Sequence, residues 1–298
     1  MSPRGLFTDM RSMHFNCIFL SAILILLPLS GCLDEDLSSR TETAEDGTER
    51  CWAIIQTITS MEHESEMMRN YHYTMTNLTY DASCNMIHSS WWGGDGYGGY
   101  TNISYNDEGQ PILIQTGSSE WNNTTATLEE DPYIEFEEYH YENGLLMQLK
   151  TYYEDGAGEE YWNYTYDSEG REILEETEFT TKESFYTSNG LLSFTKKIGY
   201  GNSTTYANYT YDDAGQMTQM TSTYGYGGTW YQPTYTNYTY VDDLLVSSSI
   251  ATSAHQSPDV TTYTYNENGD LLTQTLQWGS NPNASSTITH SWGYADTV

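Results

Sequence analysis

The chain reads as an all-β protein, a curled antiparallel sheet of stacked β-hairpin repeats with about 18 strands, shell- or superhelix-like in form. Three observations predict this. First, one phrase recurs eight times: a strand ending in Tyr, a polar turn, a Gly slot, then apolar residues. The copies begin at Tyr80, Tyr105, Tyr141, Tyr166, Tyr186, Tyr211, Tyr240 and Tyr265. Second, the residues before each Tyr alternate in type. In Asn208-Tyr209-Thr210-Tyr211 the two tyrosines point to one face and Asn208 and Thr210 to the other, and the same four residue types recur at 163–166 and 237–240. Third, Gly-rich stretches separate the copies, and no segment of helical period is long enough to cover a sheet face. Sheets beyond about ten strands curl, split or close, so a flat sheet is excluded.

The elements follow in chain order. Arg4 and Arg11 form a basic start, and Phe15 to Leu29 is an apolar run of signal-peptide length. It ends in Leu29-Ser30-Gly31-Cys32, which resembles the lipobox of prokaryotic lipoproteins. The resemblance implies that residues 1–31 are removed as a signal peptide and that the thiol of Cys32 is acylated, anchoring an exported chain at the cell surface or envelope. Residues 32–50 hold this anchor and an acidic stretch without aromatic residues, too polar to bury a core. As a flexible tether it would span about 23 Å. Residues 51–298 form the repeat domain. A first strand is expected near Ile54–Ser60 and a last one near Thr287–Trp292.

Each repeat is one hairpin. Asp or Asn at the start of the turn, and Gly where φ must be positive, suit a type I turn followed by a bulge. Gly109, Gly144, Gly170, Gly190, Gly215 and Gly269 fill that slot, while Cys84 and Asp243 replace it in two copies. The slots are spaced 25, 35, 26, 20, 25, 28 and 26 residues apart. The 35 marks an insertion around Gly117–Asp131, and the 20 a trimmed hairpin. Stacked tyrosine bodies replace an aliphatic core on the concave face, with their hydroxyls in water. Cys51 and Cys84 form an even pair in an exported chain, which suggests a disulfide closing a loop worth about 3–4 kcal/mol on the chain-entropy model.

Tyr166-Asp167-Ser168-Glu169-Gly170-Arg171 resembles the YD repeat of Rhs and teneurin-type proteins, and the likeness extends over about residues 70–275. In that family the hairpins wind into a spiral β-shell, which implies a similar local architecture here. Only one copy has Arg after the Gly and two lack the Gly, so toxin encapsulation is not carried over from the resemblance.

Composition bounds the function. Ten Lys and Arg stand against 42 Asp and Glu, a net charge of −32. Such a surface repels nucleic acid and anionic headgroups. The histidines are not spaced as a metal-ligand set, His63-Glu64 meets Met67 where a second His would be needed, and there is no Gly-x-Ser-x-Gly elbow. The expectation is therefore a non-enzymatic binding or adhesion domain without a cofactor. A surface polysaccharide hydrolase and a purely structural envelope protein are the alternatives. Glu135 and Glu137 fall on one strand face and are the best local candidates for Ca²⁺, but the turn chemistry explains the acidic residues without metal. Trp91, Trp92 and Tyr97 flank one Gly-rich loop, and Tyr226 and Trp230 another. Rings beside such loops either stack on sugar rings, giving a glycan or cell-surface partner, or fold back to cap the sheet. Nine Asn-x-Ser/Thr sequons, among them Asn163, Asn208 and Asn237, arise from the repeat itself.

Replacing the acylated thiol tests the anchor. Cys32→Ser should move the protein from the detergent phase to the aqueous phase on phase partitioning. Equal partitioning of both forms would assign anchoring to the apolar segment instead.

Overall fold

The structure, a computed structural model, describes residues 41–43, 49–62, 72–75, 78–93, 97–122, 127–252 and 257–296. The signal, Cys32 and most of the acidic tether lie outside these. The strands are β1 (Thr41–Thr43), β2 (Glu49–Glu62), β3 (His72–Met75), β4 (Thr79–Tyr80), β5 (Met86–Gly93), β6 (Tyr97–Tyr105) and β7 (Pro111–Asn122). Then come β8 (Thr127–Glu142), β9 (Leu145–Tyr153), β10 (Glu160–Tyr166), β11 (Glu172–Glu176), β12 (Thr181–Tyr186), β13 (Leu192–Gly199) and β14 (Ser203–Tyr211). The last are β15 (Met217–Tyr226), β16 (Thr229–Trp230), β17 (Thr234–Val241), β18 (Leu244–Ala251), β19 (Asp259–Tyr265), β20 (Leu271–Trp278) and β21 (Asn281–Asp296). All belong to one antiparallel sheet of 21 strands.

The strands succeed one another round a circuit, because β2 pairs with β21 on one flank and with β3 on the other. Strands β1 and β3 lie along one flank of β2, β3 and β4 share one position beside β5, and β16 and β17 share one beside β15. The 21 strands thus occupy 18 positions, as the repeat count predicts. The sheet is nearly closed and barrel-like, with a seam between β2 and β3/β4. The long spacing lengthens strands β7 and β8 to 12 and 16 residues. The short spacing trims β11 and β12 to 5 and 6 residues.

The turns explain the residue after each Tyr. Asp167 Oδ1 accepts from the backbone N–H groups of Glu169 (2.9 Å) and Arg171 (3.0 Å). Asp81, Asn106, Asp212 and Asn266 hold their turns in the same way. The side chain thereby satisfies turn donors that the ladder cannot reach. In every copy the register shifts at the repeat Tyr, so one residue bulges from the return strand. The six slot glycines have φ between +75° and +85°. Two copies differ from the expected turn. Asn143-Gly144 and Asp242-Asp243 are two-residue loops with both residues at positive φ, the type I′ geometry whose twist matches the strands. Cys84 takes the same left-handed backbone, at φ +65°.

The tyrosine hydroxyls are not left in water. Tyr211 donates to the carbonyl of Leu192 at 2.9 Å. Tyr105 donates to Met86, Tyr166 to Leu146, Tyr186 to Glu172 and Tyr265 to Leu245, at 2.7–2.8 Å. Each acceptor lies two residues after the Gly slot of the preceding hairpin. The reason is visible in the ladders. Pairing between β13 and β14 stops at Phe194↔Asn208, short of the turn end, and between β18 and β19 at Ser247↔Thr262. Successive hairpins splay apart there, and the phenol bridges the gap. The sheet's two ends reuse the device. Tyr80 donates to Ile54 in β2, and Trp292 Nε1 donates to Leu271, two residues after Gly269. Burial of the phenols pushes Tyr80 and Tyr105 up to about 12, helped at Tyr80 by the neighbouring Tyr105 phenol and at Tyr105 by the Asp81 carboxylate.

The tyrosine face is the more buried of the two, as expected of the concave side of a curled sheet. Thr165, Asn208, Thr210, Asn237 and Thr239 on the other face are exposed. Buried hydrophobics are few among the described residues: Cys51, Ala53, Tyr80, Ala207, Leu271 and Ala284. Three of them, Cys51, Ala53 and Tyr80, cluster at the seam.

Gly215 has open space around its missing Cβ and φ +85°, so only backbone strain opposes a side chain there. Gly215→Val should cost about 1–3 kcal/mol and Tyr211→Phe about 1 kcal/mol, measured by urea unfolding. Equal midpoints for the wild type and both variants would contradict the hairpin geometry. Alkaline stability is a second check. Each neutral phenol is favoured by the fold, so its contribution is complete below the ordinary value of 10 and is lost as pH rises through about 12. Phenolate absorbance and loss of β-sheet ellipticity should therefore rise together in that window. Full phenolate formation with the sheet intact would be the contrary result.

Candidate functional site: an aromatic row on the polar face

Site geometry starts with the glycines of the inter-hairpin loops. Trp91 is cross-strand from Gly99, Tyr100 from Gly117 and Trp230 from Gly225. In each pair the ring occupies the space a Cβ would need. A methyl on Gly225 would stand 2.7–3.0 Å from the Trp230 ring, and one on Gly99 would stand 2.7–2.9 Å from Trp91. Tyr226 covers Gly201 likewise. Rings and glycines are thus complementary, each aromatic shielding a backbone that lacks a side chain.

The rings singled out in the sequence do not converge. Strand alternation puts Trp91 on the tyrosine face of β5, far round the sheet from β15 and β16. Tyr226 and Trp230 share a hairpin, but their cross-strand partners Thr229 and Gly225 put them on opposite faces. Trp92 and Tyr97 lie in strands beside Gly98 and Glu120, and their side chains lie outside the described residues.

A different group is assembled around Trp230. Because Gly225 leaves β15 bare, the Trp230 ring reaches across it to Tyr206 on β14, with centroids 5.5 Å apart. Tyr206 stacks on Phe194 of β13 at 5.6 Å, and Phe194 meets Phe185 of β12 at 5.4 Å. The four rings form an oblique row on the face opposite the tyrosine latch. Its ends are the exposed members, Phe185 at 48% and Trp230 at 54%. Lys196 lies opposite Tyr206 and pairs with Glu183 at 3.2 Å, a neutral polar handle beside the rings. Ile198, further along the same face of β13, is also exposed. Phe185 was not among the rings singled out in the sequence, although the repeat carries a signal for it. It fills the slot before the repeat Tyr, where the other copies carry Thr79, Ser104, His140, Thr165, Thr210, Thr239 and Thr264. Phe194 and Tyr206 gave no such signal, because only strand register brings them together.

The tyrosine face carries charge. Lys182 holds Glu172 at 2.9 Å and Glu175 at 3.1 Å. Burial opposes its charge, but these two carboxylates outweigh burial and push it up to about 12. Burial, then the Glu175 and Glu172 charges, push Tyr164 up to about 12. Glu135 and Glu137 sit two apart on this face. Burial first, and Glu137 second, raise Glu135, while Glu137 accepts a hydrogen bond from Tyr139. No group of three His, Cys, Asp or Glu side chains suited to a metal forms among the described residues. Cys51 and Cys84 are joined by a disulfide.

Fold and surface together define a class: a nearly closed, hairpin-repeat sheet with polar groups on both faces. A membrane barrel needs an outward apolar band about 25 Å tall. Here one face exposes Asn163, Asn208 and Asn237, and the other carries Lys182 with Glu172 and Glu175, all half-buried. No family model matches the chain, and no curated protein matches it. Solved structures similar to it include a porin-like protein from Bacteroides uniformis, with 10% identity and a TM-score of 0.46, covering 80% of this chain and 98% of that one. A porin-like protein from Bacteroides vulgatus has 11% identity and a TM-score of 0.28, covering 80% and 98%. TcdB2-TccC3 has 12% identity and a TM-score of 0.38, covering 86% of this chain and 17% of that one.

If Gly225 is what lets Trp230 reach Tyr206, Gly225→Val should displace the ring and cost about 1–3 kcal/mol by overpacking. The melting temperature should fall, and the exposure of Trp230 to oxidation, followed by peptide mass, should rise. An unchanged variant on both counts would show that the ring does not rest there.

Proposed function

We propose that this is an exported, envelope-anchored, non-enzymatic protein that binds an uncharged carbohydrate polymer along the row Phe185–Phe194–Tyr206–Trp230. The observation that carries this reading is the row itself: four rings in contact across five strands on the face that also exposes Asn163, Asn208 and Asn237, with half-exposed aromatics at both ends. The rings there are not part of the hydroxyl latch, and in the Phe185 slot every other repeat has a polar residue or His. Flat rings complement the C–H faces of pyranose units, and a row crossing several strands suits an extended chain rather than a single sugar. The net charge of −32 disfavours polyanions, and Glu183 already neutralises Lys196, the cation beside the rings. The lipobox-like segment supports the anchoring half of the proposal.

Affinity electrophoresis against neutral and uronate-containing polysaccharides tests it. The informative variants are Phe185→Thr, which restores the residue most repeats carry, and Trp230→Ala. Each should weaken binding of a neutral polymer roughly five- to tenfold, the equivalent of about 1–1.4 kcal/mol. Binding unchanged in both variants would place the site away from this row and overturn the assignment, and no binding to any polymer would favour a purely structural envelope protein. Release of shortened products would favour the hydrolase.

A further inference from the structure

The circuit of strands is not fastened evenly. Strand β2 is paired with β21 along its length, from Arg50↔Asp296 to Glu62↔Ser285. Its other flank is held by three pairs to β1 and four to β3. From Trp52 to Gln56 that flank has no ladder partner among the described residues. The next link, β3 to β5, has three pairs, and β4 pairs only with β5. Two contacts fasten this region: the Tyr80 hydroxyl to Ile54 O at 2.8 Å within the unladdered stretch, and the Cys51–Cys84 disulfide at its edge, where Cys51 also pairs with Thr41 of β1. Around them lies the cluster of Cys51, Ala53 and Tyr80, packed by Leu78, Cys84, Met86 and Ala295. A side-chain hydrogen bond of about 1 kcal/mol could not hold an open flank of this length by itself. The flank would otherwise expose unpaired strand edges.

We infer that the Cys51–Cys84 disulfide is the redox-dependent fastening of the barrel seam, and that its reduction opens the circuit between β2 and β3–β5 while the remaining hairpins stay paired. In the step, a dithiol reductant attacks one sulfur, the S–S bond breaks, and two cysteine thiols form. The dithiol becomes a cyclic disulfide, and two electrons and two protons pass from it to the protein. The opened form is a curled sheet with two free edges. Hairpins β9–β18 make no contact with the bond and are held by their own ladders and tyrosine latches.

This differs from an ordinary cross-link. Loss of a disulfide that acts only through the unfolded chain would lower the global opening free energy of every strongly protected amide alike. A seam fastening acts on one cooperative segment. Hydrogen exchange with peptide mass readout, on the full chain and on its Cys51→Ala/Cys84→Ala form, separates the two. Amides of β2–β5 should lose roughly tenfold or more of their protection, while those of β9–β18 change by less than about twofold. If the double variant fails to fold, treating the folded wild type with a dithiol gives the same reading. The loss should appear in β2–β5 alone and reverse on re-oxidation. Unchanged protection in β2–β5, or a uniform loss in every hairpin, would overturn the inference.

Discussion

The fold depends on one hydrogen bond made many times: a tyrosine hydroxyl given to the backbone carbonyl of the hairpin before it. Bulged turns force neighbouring hairpins apart at one end of the sheet, leaving carbonyls that no ladder N–H can reach. A buried carbonyl without a donor is costly, and the phenol is long enough to serve it from the next strand while its ring covers the gap. No aliphatic core could substitute, since the described strands bury few whole side chains. Stability is then spread over similar local contacts between neighbours, as in other repeat architectures. Because each bond needs a protonated phenol, the same device sets the alkaline limit of the fold.

The ends of the chain meet this constraint without extra elements. Trp292 donates its indole N–H where a ninth Tyr would stand, and Tyr80 reaches Ile54 in the first strand. The last strand thereby pairs with the first, and the free edges a long open sheet would present are largely removed. The seam is where this imitation is incomplete, and a covalent bond stands at the edge of the stretch without a ladder.

Glycine and aromatic residues divide the other end of the sheet between them. Where a strand lacks a side chain, a cross-strand ring lies over the bare backbone, as Trp91 does at Gly99 and Tyr100 at Gly117. At Gly225 this arrangement lets a ring span a whole strand and join a row on the polar face. The two readings of such loops, capping and binding, therefore meet in one residue. Trp230 caps Gly225 with its ring and is still half-exposed.

Much of this was legible in the residues. The repeat period determined the hairpins, the Gly slots determined where φ turns positive, and strand alternation determined which side chains share a face, because these are local properties of the backbone. The eighteen positions follow from counting copies. The departure of Phe185 from its slot was visible for the same reason. Three matters belonged to tertiary structure. The phenols meet carbonyls rather than water because successive ladders stop short, which depends on how far hairpins splay. Trp91, Tyr226 and Trp230 separate, while Phe194 and Tyr206 meet, because cross-strand register is a relation between distant segments. Closure, finally, rests on β2 lying against β21, more than two hundred residues later. Only the accumulated curl of the whole sheet brings those strands together.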